Sequence, residues 1–215
     1  MNLIFLGAPG SGKGTQSQML QKHLNIPSIS TGDMLRKEVA IQSEIGNIAK
    51  SFMDSGKLVP DEVVIDIIKN TITKKDCQRG FILDGFPRTI NQAIELDKMM
   101  NSLSLKIDKV FNFEVSDDVL IKRISGRISC KKCGSVYNRY FKPTIKEGFC
   151  DDCNSSEFES RVDDSEETVK KRLHVYYQSS FALIEFYKKK NLLVSIDALK
   201  IASLVFKHLL SSIDS

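Results

Sequence analysis

No stretch of this chain approaches the roughly twenty consecutive apolar residues that a membrane-spanning helix requires, so no such span is expected. The apolar run at the N-terminus is too short for a secretory leader, lacks a basic segment before it, and is better explained as a strand. Histidine is scarce. His23, His174 and His208 are scattered, and none falls into a pattern with acids or cysteines that would make it a general base or a metal ligand. Internal repeats and low-complexity segments are absent. Arginine is sparse as well: of 31 basic residues only eight are arginine. Lysine therefore does the solubilising. Each arginine becomes a candidate for a place where a planar, bidentate fork matters, with a surface salt bridge as the plain alternative for any one of them.

What remains is an ordinary globular composition, 41% hydrophobic and 27% charged over 215 residues. That length suits one α/β core with an excursion or two and is short for two full enzyme domains. A net charge of +4 is mild and suggests neither a nucleic-acid binder nor a membrane-surface protein. A cytoplasmic protein is expected.

The first 24 residues read as strand, loop and helix. Asn2 to Leu6 is an apolar run of strand length, Gly7 to Gly12 is glycine-rich, and Gly12 to Leu24 has helical spacing. Gly7, Gly12 and Lys13 fit the spacing GxxxxGK, in which glycines let successive backbone N–H groups turn inward around a polyphosphate. The helix adds its unpaired N–H groups and dipole, and Lys13 adds a charge for the β and γ phosphates. A glycine-rich turn can merely join two elements, but spacing, lysine and flanks agree here. Gly14 stands where a Mg²⁺-binding Ser or Thr usually follows the lysine, and Thr15 comes one place later.

Ile26 to Ile29 reads as a second strand, followed by Ser30, Thr31 and Asp33 as N-cap candidates for a helix carrying Arg36. Two short helices are expected between Ile41 and Leu58, broken near Ser43 and at Ser55-Gly56, and another from Pro60 to about Thr73. GFILDGFPRT, residues 80–89, is a strand that ends in Asp84 and turns at once. An acid at the carboxyl end of a parallel strand lies on the sheet edge where the phosphate loop opens, so Asp84 is placed to hold Mg²⁺ through its waters. An isolated Asp-Gly is otherwise a common turn. Lys109 to Val115 is a fourth strand, and Ser116 opens a helix on which Arg123 and Arg127, four apart, would share a face. That pair reads either as a solvated basic face or as an anion clasp.

Cys130-x-x-Cys133 and Cys150-x-x-Cys153 are separated by sixteen residues, a spacing that can close four thiolates around one structural Zn²⁺. Two disulfides or idle core cysteines are the alternatives, and Cys77 is left over as an inert thiol. The segment between the knuckles suggests a small β-rich insert with too few apolar residues to fold unaided. A ribbon of this kind could instead grip nucleic acid, but its lysines and Arg139 sit among Glu147, Asp151, Asp152 and Glu157. A long helix from about Glu166 to Lys190, a fifth strand from Leu192 to Ile196 and a closing helix from Leu199 to Leu210 complete the chain.

The runs GAPGSGKGT, STGDMLR, GKLVP, DGFPRT followed by NQA, the four lid cysteines and RVDD together resemble adenylate kinases, specifically the long bacterial form with a zinc-bearing lid. The resemblance covers the whole chain. It implies an α/β fold, a five-stranded parallel sheet of the phosphate-loop nucleoside monophosphate kinase type, with a helical AMP flap and a small β-rich zinc lid. The core would comprise 1–29, 60–126 and 162–215, the flap 30–59 and the lid 127–161. It implies the reaction ATP plus AMP giving two ADP, with Mg²⁺ carried on ATP, structural Zn²⁺, no nucleic-acid or membrane partner, and a monomer.

By the same resemblance Lys13, Asp84, Arg88, Arg123, Arg127, Arg161 and Arg172 are catalytic. ATP would be held by Gly10, Ser11, Gly12, Lys13, Gly14, Thr15, Arg127, Val136, Tyr137 and Lys200. Before the last, this chain departs from the family pattern, with Asp197-Ala198 in place of Asp-Gly. AMP would be held by Thr31, Arg36, Lys57, Leu58, Val59, Gly85, Phe86, Pro87, Arg88, Gln92, Arg161 and Arg172. Thr31 and Gln92 favour adenine over UMP or CMP as acceptor.

Overall fold

The computed structural model describes residues 1–213. Its main sheet has five parallel strands, β1 (Asn2–Gly7), β2 (Ser28–Ser30), β3 (Phe81–Asp84), β4 (Lys109–Glu114) and β8 (Leu193–Asp197), in the spatial order β2-β3-β1-β4-β8. A parallel sheet with helices on both faces needs apolar residues on both sides of its strands. Leu3, Ile4 and Phe5 of β1 accordingly have no exposed surface at all. Ile4, Leu83 and Val110 face Ile68, Leu96 and Tyr187, whereas Leu3, Phe5, Ile82 and Phe111 face Leu20, Val205 and Leu209. Each such side chain contributes about 1.5–3 kcal/mol of burial.

The first of these layers is supplied by α4 (Asp61–Ile72), α5 (Ile90–Ser102) and α8 (Phe181–Lys189), and the second by α1 (Lys13–Leu24) and α9 (Ala202–Ile213). Strand order reverses at β1, so the chain turns at its carboxyl end open a crevice between neighbouring strands, the usual ligand position in such sheets. The register places Phe5 beside Asp84 and Gly7 beside Phe113, which brings the turns after β1, β3 and β4 to one edge.

Two smaller units stand over that edge. One is α2 (Thr31–Ala40) against α3 (Glu44–Asp54). Ser30 caps α2 by accepting from the Asp33 N–H at 3.3 Å, and Ser43 caps α3 by accepting from the Gly46 N–H at 2.9 Å. A Cβ on Gly46 would lie 2.1 Å from the Glu38 carbonyl oxygen, so only glycine allows the two helices to cross this closely. One helix, not two, fills the stretch after Ile41: residues 41–43 are the turn between α2 and α3.

The other unit is a three-stranded antiparallel sheet of β5 (Arg127–Cys130), β6 (Val136–Asn138) and β7 (Phe158–Glu159), in the order β6-β5-β7. Its buried centre is Cys130, Tyr137 and Cys150, with Ile128, Cys153 and Phe158 against it. Two expectations about the remaining helices change. α6 spans Asp117–Ser125 and stops at Gly126, so Arg127 lies on a strand and not on the helical face of Arg123. The long helix after RVDD is two, α7 (Glu166–Ser179) and α8, divided at Ser180, whose hydroxyl donates to the Arg88 carbonyl at 2.9 Å. A hydroxyl bonded sideways at a Ser-Ser step is a common site for a helix to bend.

Candidate active site

The turns at the sheet edge enclose one cavity of about 580 Å³. Its floor is the phosphate loop. Gly7, Gly10 and Gly12 all have positive φ, of 142°, 80° and 96°, which lets this loop curve back under the start of α1. A Cβ on Gly10 would lie 2.6 Å from Ile124 of α6, so the loop is also wedged against that helix. Lys13 extends back across the loop and donates to the Gly7 carbonyl at 2.7 Å, the Ala8 carbonyl at 2.8 Å and Ser11 Oγ at 3.2 Å. Desolvation lowers its pKa to about 8; the Asp84 carboxylate opposes that fall, and the guanidinium groups of Arg88, Arg172 and Arg127 add to it.

Cations dominate this floor. Arg88 is brought down to about 10 by burial, with Arg172 adding and Asp84 opposing. Arg161 is likewise lowered to about 10 by burial, then by Arg127 and Arg36. Burial also lowers Arg172. Five guanidinium groups and one ammonium converge on one desolvated space, an arrangement that an anion with several charges would relieve. Arg127 is the exception in sign: its paired contact with Asp164 outweighs burial and raises it. The carboxylates are fewer. Burial raises Asp84, with Lys13 opposing. At Asp33 burial acts upward too, but Arg36 and then Arg161 outweigh it and hold the carboxyl below its usual range.

At one end, the cavity is bounded by Thr31, Arg36, Lys57, Leu58 and Val59, together with Gly85, Pro87, Arg88 and Gln92. Thr31 Oγ1 donates to the Gly85 carbonyl at 2.9 Å, and Arg88 Nε donates to the same oxygen at 2.8 Å, which fixes the arginine against its own turn. Phe86 lies apart from the rest: its side chain is fully buried in the core, and the peptide to Pro87 is cis.

At the other end stand Arg123, Val136, Tyr137, Phe141 and Lys200. Arg123 Nη2 donates to the Ala198 carbonyl at 2.9 Å and its guanidinium lies 5.7 Å from the centre of the Phe141 ring. It is therefore away from the cluster around Lys13, facing the loop before α9. Gln16 Nε2 donates to the Ala202 carbonyl at 2.9 Å and ties the first residue of α9 to α1.

The four lid cysteines come together with all Sγ atoms within 4.8 Å of one another. Cys130 and Cys153 are 3.5 Å apart, as are Cys133 and Cys150. That is far beyond a disulfide bond of about 2.05 Å. It is close to the separation of about 3.8 Å between sulfurs on a tetrahedral Zn²⁺ with bonds of about 2.3 Å. The donor set therefore fits a closed four-thiolate metal site. Tyr137 accepts from the Asp151 N–H at 2.8 Å, which leaves its hydroxyl proton for Cys150 Sγ at 3.3 Å. Its hydroxyl is thus committed to the cysteine cluster, while the residue also borders the cavity.

The family model for adenylate kinase matches residues 5–192. The chain belongs to the adenylate kinase family. It is 55% identical over 194 residues to an adenylate kinase of Caldicellulosiruptor bescii, covering 90% of each chain. It is 49% identical over 209 residues to one of Archaeoglobus fulgidus, covering 97% of this chain and 96% of that one. It also aligns over all 215 residues with one of Alkaliphilus oremlandii at 44% identity, covering 99% of that chain. Adenylate kinases are nucleoside monophosphate kinases, and the five-stranded parallel sheet and four-cysteine cluster accord with that membership. No helix among the described residues is long and apolar enough to cross a membrane.

Several contacts in this adenylate kinase fold had no sequence signal. The Arg127–Asp164 and Arg172–Asp163 pairs join residues that are 37 and nine apart, and Asp33 pairs with Arg161 across 128 residues. Phe141 and Asp61 carry no motif; only their neighbours in space, Arg123 and Gln92, mark them.

Proposed function

We propose that the protein catalyses reversible transfer of the terminal phosphoryl group of ATP to AMP, giving two ADP, and so keeps the adenine nucleotides in balance. The observation that supports this most directly is a single cavity bordered by the phosphate loop at its centre, Arg123 and Lys200 at one end, and Thr31 and Gln92 at the other. Two nucleotides with their phosphates meeting at Lys13 match the distribution of charge along it.

The acceptor phosphate is already an anion, so the step needs no general base. The cavity has no histidine on its walls. What the residues supply is orientation and charge. Arg36 and Arg88 hold the acceptor phosphate, and Lys13, Arg127, Arg161 and Arg172 surround the group in transfer as charge spreads over its oxygens. Backbone N–H groups of Gly10 to Thr15 bind the donor phosphates. Arg123, from its place beside Ala198, lines the donor base together with Lys200 and does not clasp phosphate. Mg²⁺ bound with ATP would supply further charge neutralisation, and Asp84 would be the carboxylate to hold it.

Residues 30–59 act as an acceptor flap and 127–161 as a lid on a core formed by the remainder. Zn²⁺ held by Cys130, Cys133, Cys150 and Cys153 keeps that lid rigid; closure excludes water, the competing acceptor. The protein works as a cytoplasmic monomer. Purified protein with ATP, AMP and Mg²⁺ should form ADP, and a panel of AMP, UMP, CMP and GMP should show AMP as the preferred acceptor. Preference for a pyrimidine monophosphate, or no ADP from AMP, overturns the reading.

A further inference from the structure

Gln92 is 1% exposed and its carboxamide is held at both ends. Its Nε2 donates to Asp61 Oδ1 at 2.7 Å, and its Oε1 accepts from the Arg88 N–H at 2.7 Å. A carboxylate can only accept and a backbone N–H can only donate, so these two neighbours together leave the amide one orientation. Each end keeps one further valence: a second N–H on Nε2 and a second lone pair on Oε1. Asp61 itself does not border the cavity; it opens α4 and gathers the segment after Arg88 by accepting also from Thr89 Oγ1 at 2.8 Å and Asn91 Nδ2 at 3.0 Å.

Resting on the adenylate kinase reading above, we infer that Asp61 is a positioning residue that sets acceptor-base specificity by locking the direction of the Gln92 amide. Adenine offers an amino donor beside a ring-nitrogen acceptor, the complement of a carboxamide. Hypoxanthine offers the reverse pattern, a carbonyl beside a ring N–H, and would need the amide turned over. With Asp61 present, turning it would set Oε1 against a carboxylate and the amino group against the Arg88 N–H. Two like poles would then face each other in a buried place, so the site rejects the 6-oxo purine by leaving its polar edge unmatched.

The test is acceptor discrimination, measured as the ratio of kcat/KM for AMP to that for IMP at saturating ATP, in the wild type, Asp61→Asn and Asn91→Ala. Asparagine at 61 can offer either pole to Gln92, so one of the two locks is removed and only the Arg88 N–H still opposes turning the amide. We expect the ratio to fall about tenfold or more in Asp61→Asn, chiefly through KM for the acceptors and with KM for ATP unchanged. Asn91→Ala, which removes only an outer contact to Asp61, should keep the wild-type ratio. An Asp61→Asn enzyme that keeps the ratio, or loses both acceptors in equal proportion, overturns the inference. If that variant does not fold, calorimetric binding of AMP and IMP to the wild type decides: IMP bound within about threefold of AMP refutes a locked amide. A wild type that makes no ADP from AMP is a separate failure, that of the functional reading.

Discussion

Arg127 and Asp164 form a two-point pair that joins the first lid strand to the segment after the lid. Arg127 Nε donates to Asp164 Oδ2 at 2.8 Å and Nη2 donates to Oδ1, with the Asp164 side chain 4% exposed. Asp164 Oδ1 also lies 3.3 Å from Arg172 Nη1. One buried carboxylate thus touches two of the proposed catalytic arginines, and Asp164→Ala would leave Arg127 without its partner while Arg172 keeps Asp163 at 2.8 Å. Breaking one side of a buried pair typically costs about 3–5 kcal/mol, and a protein of this size loses roughly 2–4 °C of Tm per kcal/mol. Thermal unfolding of Asp164→Ala should show a midpoint at least about 6 °C lower; an unchanged midpoint would remove the pair from the stability of the fold.

Arg88 is expected to behave oppositely. It is crowded by other cations, and its burial works against its own charge. Arg88→Ala should melt at or above the wild-type temperature while kcat/KM for AMP falls by about 10²–10³, the scale of losing one preorganised charge-stabilising donor. Circular dichroism melts paired with steady-state rates would check both halves, and an unchanged rate would exclude Arg88 from the site.

Lys13 links binding to pH. Its folded pKa of about 8 lies below the ordinary 10.5, so the ammonium form carries a folding cost that is full below pH 8 and fades as pH rises toward 10.5. A bound triphosphate reverses the balance by stabilising the ammonium. Between those two values ATP binding should therefore take up a proton, and affinity should weaken as pH rises. Calorimetric titration at about pH 9 in two buffers of different ionisation heat measures the uptake. No uptake would show that Lys13 meets no phosphate.

The cysteine cluster should bind one Zn²⁺ per chain, and Cys150→Ser should abolish it, as metal analysis would show. Chelation should lower the melting temperature more than it lowers early activity at low temperature, because all four positions are filled by protein and none is open for chemistry. Immediate loss of turnover with the fold intact would contradict a structural role.

Much of this was legible in the chain because local signals and the site coincide. A five-residue apolar run before GAPGSGKG, an acid closing FILD, and two Cys-x-x-Cys knuckles each specify their own geometry from neighbouring residues. Other features depend on residues distant in sequence. Spacing from Arg123 predicts a helical place for Arg127, but Gly126 ends α6 and Asp164 pairs with Arg127 on the strand. Ser180 divides α7 from α8 because its hydroxyl reaches Arg88, 92 residues earlier. The break near Ser43 stands, since Ser43 caps α3, but no separate helix precedes it, because Gly46 crossing Glu38 closes the connection to a short turn.

Folded back over its loop, the Lys13 ammonium is already occupied by three oxygens of that loop. A visitor must offer more negative charge than those neutral oxygens before the side chain will swing toward it. Uncharged nucleosides and sugars give it no reason to move, so the loop sorts arrivals by ionic character before the base ends of the cavity sort them by outline.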